Sequence, residues 1–219
     1  MTGSEEGARV HEIRERVAAA ARRAGRDPAG ITLVAAAKKI EVPQIAGVVA
    51  AGVRDVGENR AQELLRKAPE LAGAPSPPRW HFIGRLQRNK VGGLAPWVSL
   101  WQSVDRESLA AVLARRAPGA TVLVEVNLGE EVQKGGCAPD HTPALVDTLR
   151  EHGLAVRGLM TVPPQEGDPR PWFARLRELG ARLDLRELSM GMSNDFEAAV
   201  EEGATMVRVG RALFGARRT

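Results

Sequence analysis

Eight short β-rich runs alternate with amphipathic stretches along this chain, and that alternation leaves few folds open to it. The runs are residues 31–38, 55–59, 80–84, 100–104, 121–127, 156–162, 187–193 and 205–210. Between them the apolar spacing turns helical, over Pro43 to Ala51, Arg60 to Lys67, Arg106 to Arg116, Pro139 to Glu151, Pro171 to Leu183 and Asp195 to Glu202. Asp105 and Asn194 or Asp195 precede such stretches as candidate N-caps. Strand–helix alternation of this kind predicts a parallel sheet, and eight units predict an α/β fold closed as a (β/α)8 TIM barrel. An open doubly wound sheet is the rival. Val10, Ile13, Val17, Ala20 and Ala21 add an amphipathic helix ahead of the first strand.

Composition narrows the setting. At 219 residues with no Ser/Gly-rich or charge-rich linker, one domain, 1–219, is expected. Cys137 is the sole cysteine, which fits a reducing compartment, and no apolar run is long enough to span a bilayer. Met1 to Gly7 carries two glutamates where a secretory leader would be basic, so a cytoplasmic protein with no membrane partner is expected. The net charge is +4, but 31 basic residues are mixed with 27 acidic ones and Tyr is absent, leaving little material for a nucleic-acid surface.

In such a barrel, chemistry gathers where strands end, and period-two alternation says which side chains face the axis. Alternation turns Thr32, Val34, Ala36 and Lys38 inward and Lys39 outward. It places Glu125 and Asn127 inside, with Val122, Val124 and Val126 against helices. Arg208 and Gly210 fall inside, with Val207 and Val209 outside. Ser189, Gly191 and Ser193 share an inner face opposite Leu188, Met190 and Met192. Lys38, Asn59, Asn127, Ser193, Arg208 and Gly210 thereby converge on one mouth.

Each residue also has a plainer reading. Lys38 can be a solvated strand end, although the three alanines before it leave room beside an amine, and an amine desolvated near a cation becomes nucleophilic toward aldehydes. Arg208 can be a structural cation paired with Glu125, and Gly210 a strand cap. His81, inside an apolar run, reads as a hydrogen-bonded core residue. No metal-ligand spacing and no GxSxG, Walker or GxGxxG motif is present, so no metal site is expected.

Taken together, Leu33-Val-Ala-Ala-Ala-Lys38, Gly57-Glu-Asn-Arg-Ala-Gln-Glu63, Trp80-His-Phe-Ile-Gly84 with Leu86-Gln87 and Asn89-Lys90, Arg157-Gly-Leu-Met160, Leu188-Ser-Met-Gly-Met-Ser-Asn-Asp-Phe196 and Val207-Arg-Val-Gly210 with Phe214-Gly215 closely resemble the pyridoxal 5'-phosphate homeostasis protein family. That family is similar to the N-terminal barrel of alanine racemase, the type III fold of pyridoxal phosphate (PLP) proteins. The resemblance implies PLP as cofactor, held as an aldimine on Lys38, with its phosphate on Ser193 and the backbone around Gly210 and Arg211, its pyridine nitrogen on Arg208, and Asn59 lining it. This sequence departs from the family in two places. Ala37 stands where a serine is usual before the lysine, and Arg211 stands where a hydroxyl residue is usual after Arg-x-Gly.

A carrier and an enzyme both fit such a site. An arginine beside the pyridine nitrogen stays protonated and leaves that nitrogen without a proton, which weakens the ring as an electron sink. The racemase shares that arrangement, but it serves the second face of its substrate with a tyrosine from an additional C-terminal domain of a partner subunit. This sequence has no tyrosine and stops just after its eighth unit. A non-catalytic, PLP-binding protein of vitamin B6 homeostasis, monomeric and serving PLP-dependent apo-enzymes, is therefore expected, with no catalytic residues assigned. The alternative is a PLP-dependent amino-acid racemase. A cofactor-free lysine aldolase would need carboxylates in the mouth, where Glu125 is the obvious one.

Overall fold

The computed structural model describes residues 2–131, 134–164 and 166–215. Parallel strands close into a barrel in sequence order: β1 (Thr32–Ala36), β2 (Asp55–Glu58), β3 (Arg79–Phe82), β4 (Val98–Val104), β5 (Thr121–Glu125), β6 (Ala155–Met160), β7 (Glu187–Ser189) and β8 (Met206–Val209), which pairs back onto β1. The closed ring excludes the open doubly wound sheet. Around it run α1 (Thr2–Arg23), α2 (Val42–Ala50), α3 (Ala61–Leu71), α4 (Val91–Leu94), α5 (Glu107–Arg116), α6 (Thr142–Glu151), α7 (Arg170–Arg182), α8 (Phe196–Glu201) and α9 (Arg211–Phe214).

Two apolar layers hold the barrel. Outward side chains such as Ala35, Val56, Trp80, Phe82, Trp101, Val122, Val124, Leu159, Leu188, Val207 and Val209 are buried against the helices. Val34, Leu100, Leu123, Met160 and Met206 form a separate apolar cluster on the inner face. This division follows strand alternation, as the sequence pattern required. The extra helix α1 buries Val10, Ile13, Val17, Ala20 and Ala21 and packs against α2, α8 and α9. No helix among the described residues is long and apolar enough to cross a membrane.

The strands are shorter than the apolar runs, and the difference falls at the site. β1 ends at Ala36, and a turn closed by the Ile40 N–H on the Ala37 carbonyl (3.1 Å) carries Lys38. Lys39 in that turn has φ 58°, so strand alternation is not what aims these two lysines. β7 ends at Ser189, and Gly191, at φ 91°, resets the facing of the residues after it. Met192 accordingly lines the mouth, although alternation had it outside. Asp105 is not the cap of α5. Arg106 occupies that position, and the Asp105 carboxylate pairs with Arg106 and accepts the Gly136 N–H (3.4 Å) instead. The segment between β3 and β4, which shows no helical signal in the sequence, forms a 3-10 turn (Arg88–Lys90) running into α4.

Candidate functional site

A cavity of about 790 Å³ opens at the C-terminal end of the barrel, between the ends of β1, β7 and β8 and the loop after β6. Lys38, Ser193, Arg208, Gly210 and Arg211 all line it. Asn59 and Asn127 do not. Asn59 follows the end of β2, where its N–H bonds the Glu58 carboxylate (2.8 Å); its buried Oδ1 has no hydrogen-bond partner among the described residues. Asn127 exchanges hydrogen bonds with the Glu131 backbone, its Nδ2 donating to the carbonyl (3.0 Å) and its Oδ1 accepting the N–H (3.3 Å).

On one wall, the Ser193 hydroxyl faces the start of α9, accepting the Gly210 N–H (3.3 Å) and the Ala212 N–H (3.4 Å). Gly210 permits this close approach of β8 to β1: a Cβ there would stand 3.0 Å from the Ala36 carbonyl oxygen. A hydroxyl beside backbone N–H groups, with the Arg211 guanidinium next in sequence, is a donor set suited to a phosphate.

Arg208 lies deeper, at 4% exposure. Its guanidinium makes no ion pair with Glu125; it donates to Ser189 Oγ (2.7 Å) and to the Thr161 carbonyl (2.8 Å). Burial lowers its pKa to about 10, with the charges of Glu125 and Asp195 opposing, so it remains a cation at neutral pH. From Arg208 a line of buried hydrogen bonds descends through the barrel. Ser189 donates to Gln102 Oε1 (2.7 Å), Gln102 Nε2 meets His81 Nδ1 (2.8 Å), His81 Nε2 meets Asp55 Oδ1 (3.1 Å), and Arg79 closes on Asp55 (2.6 Å). His81 is thus the hydrogen-bonded core residue its apolar setting predicts.

Several features escaped sequence reasoning. Pro163, Pro164, Gly167 and Pro169 wall the cavity, and their Pro/Gly density was the available signal. Lys67 and Glu58 are fully buried beneath the Lys38 turn, where the Glu63/Lys67 spacing of four on a helix was a hint.

Glu125 stands at the end of β5 beside Asp105. Burial pushes its carboxyl up to about 7, the Asp105 charge adds to this, and Arg208 and Arg85 oppose it. The folded protein therefore keeps this proton to higher pH than the unfolded chain does. Ionising Glu125 costs stability progressively from the ordinary carboxylate range up to about pH 7, and the cost is constant above that. Glu125→Gln is expected to gain on the order of 3 kcal/mol over the parent at pH 8 and to keep little of that gain at pH 5. Urea unfolding at both values measures it, and an equal effect at the two would refute the raised pKa.

With the geometry in place, comparison with known proteins gives a consistent answer. The family model of the alanine racemase N-terminal domain matches residues 9–218. The pyridoxal phosphate homeostasis protein of Pseudomonas aeruginosa is 43% identical, over 95% of this chain and 94% of its own. The chain belongs to the pyridoxal phosphate homeostasis protein family. Among solved structures, a protein from Bifidobacterium adolescentis is 36% identical with a TM-score of 0.88, covering 97% of this chain and 95% of its own. PipY of Synechococcus elongatus, in a structure with PLP bound, is 35% identical with a TM-score of 0.80, covering 93% of this chain and 100% of its own.

Proposed function

We propose that this chain binds PLP in the mouth of its barrel, holds it covalently through Lys38, and serves vitamin B6 homeostasis without appreciable turnover of amino acids. The observation that carries this is the joint placement of Lys38, Arg208 and the Ser193–Gly210–Arg211 wall around one cavity. Ser193 and the N–H groups at the start of α9 take the phosphate, and Arg211 adds a cation where the family's hydroxyl is missing. Arg208 donates toward the pyridine nitrogen. Its own protons are fixed, because it is a cation held by Ser189 and the Thr161 carbonyl. Asn59 offers a buried acceptor. PLP supplies an aldehyde for the lysine and a ring able to take up electrons, and an arginine-bound pyridine nitrogen limits the second capacity.

The carrier reading is favoured by what faces the lysine. Racemisation needs a base on each face of the substrate, yet the sequence contains no tyrosine, and Asp195, the carboxylate in the cavity lining, accepts the Met192 N–H. We place the protein in the cytoplasm as a monomer, passing PLP to or withholding it from apo-enzymes that require it. Incubation with PLP is expected to give a new absorbance band that borohydride fixes to the protein. With PLP loaded, several amino acids in deuterated water are expected to show neither racemisation nor deuterium at Cα. Turnover that vanishes with Lys38→Ala would restore the racemase reading.

A further inference from the structure

The turn bearing Lys38 is gripped from below by a buried ion cluster that touches no part of the cavity. Lys67, fully buried on α3, donates from Nζ to Glu58 Oε2 (2.6 Å), to Glu63 Oε2 (2.9 Å) and to the backbone carbonyl of Ala37 (2.8 Å). The same Glu63 Oε2 accepts the backbone N–H of Lys39 (2.9 Å). Two members of one cluster therefore hold the residues immediately before and after Lys38. Glu58 fastens the cluster to the barrel, since its other oxygen accepts the N–H groups of Asn59 (2.8 Å) and Arg60 (3.2 Å) at the end of β2.

The cost of this arrangement argues for a purpose beyond folding. Lys67 and Glu58 are both wholly removed from water, a placement that well-packed apolar side chains fill with equal or greater stability. Lys39 is held in the left-handed region at φ 58°, which an unconstrained lysine avoids. Burial pushes the Glu58 carboxyl up, with Lys67 pulling against it. For Glu63, burial is outweighed by the hydrogen bonds from Lys67 and the Lys39 N–H, which hold it below the ordinary range. The turn follows a strand that has already ended, so without the cluster only the Ala37–Ile40 turn bond would set the direction of the Lys38 side chain.

We infer that Lys67, Glu58 and Glu63 are positioning residues for Lys38, clasping the peptide groups on either side of it so that its amine is presented to the aldehyde of a ligand in the cavity. This rests on the reading of Lys38 as the attachment residue. A lysine free to swing samples the attack geometry in a small fraction of its rotamers, whereas a fixed turn removes that loss.

The test measures the rate at which PLP becomes borohydride-trappable on Lys38, with peptide mapping, together with the pH profile of the absorbance of the bound form. Near-UV circular dichroism confirms the fold of each variant. Glu63→Ala is expected to slow capture by about tenfold or more and to shift the pH profile, while Glu63→Gln, whose amide oxygen still accepts the Lys39 N–H, recovers most of the rate. Lys67→Met is expected to act in the same direction. Should it not fold, Glu63→Ala decides alone, because Glu63 sits on the first turn of α3 with 19% of its side chain exposed and its removal admits water. A folded Glu63→Ala protein capturing PLP on Lys38 at the parent rate, with an unchanged pH profile, overturns the inference. Parent protein that captures PLP elsewhere than Lys38 overturns the attachment reading instead.

Discussion

Lys38→Ala is expected to abolish stable capture of PLP, slowing formation of a borohydride-fixed adduct by at least about a hundredfold while leaving the barrel folded. Lys38 lies in an exposed turn and lines the mouth cavity, so its removal takes away an amine without opening a hole in either apolar layer. Lys39 is the internal control. It follows directly in sequence, but it does not line the cavity, and its N–H is tied to Glu63. Reduction of the loaded parent followed by peptide mapping is expected to place the added mass on Lys38. Finding it on Lys39, with Lys38 unmodified, would sink the assignment.

The largest effect on stability is expected from Gly158→Ala in β6. Gly158 pairs with Glu187 of β7 on one side and with Leu123 of β5 on the other, next to a shift in register. A Cβ built on Gly158 would stand 1.8 Å from the Glu187 carbonyl oxygen and 2.6 Å from its carbonyl carbon, so the strands must part for it to fit. Backbone is what lies in the way, and a closed barrel cannot widen one seam without straining the rest. A loss of about 3 kcal/mol or more is expected, which for a chain of this size lowers the melting temperature by roughly 10 °C. Gly7→Ala on α1, where nothing lies within 4 Å of the added carbon, is expected to be neutral or slightly stabilising. Thermal melts of the two side by side test the geometry, and equal melting points would refute it.

Much of this molecule was legible in the sequence because a barrel strand repeats every two residues. Val34 against Ala35, Leu123 against Val124, and Arg208 against Val207 and Val209 all fall on the faces that alternation assigns. The pattern stops being informative where the strand stops. Met192 and the Lys38–Lys39 turn lie past backbone positions with positive φ, and one such residue resets every facing after it. The choice of partners was not legible either. Glu125 was the evident carboxylate for Arg208, but the guanidinium found a serine two strand residues from the end of the apolar run and a carbonyl in the next loop. Those contacts depend on which strands neighbour each other in the closed ring and on how the loops fold back, neither of which leaves a periodic trace.

The line of hydrogen bonds beneath Arg208 has a consequence for how this protein can change over time. Arginine can only donate, so Ser189 must spend its proton on Gln102, Gln102 must turn its amide nitrogen to His81, and His81 must carry its hydrogen on Nε2 toward Asp55. The direction of every bond is dictated from one end. Exchanging Arg208 for a group that accepts reverses the demand at Ser189 and leaves a clash of like groups further down, in a place water does not reach. Positions 208, 189, 102 and 81 are thus coupled in heredity as they are in space. A lineage seeking a different partner for the pyridine nitrogen must alter several of them together, and single substitutions along the way fall into a fitness valley.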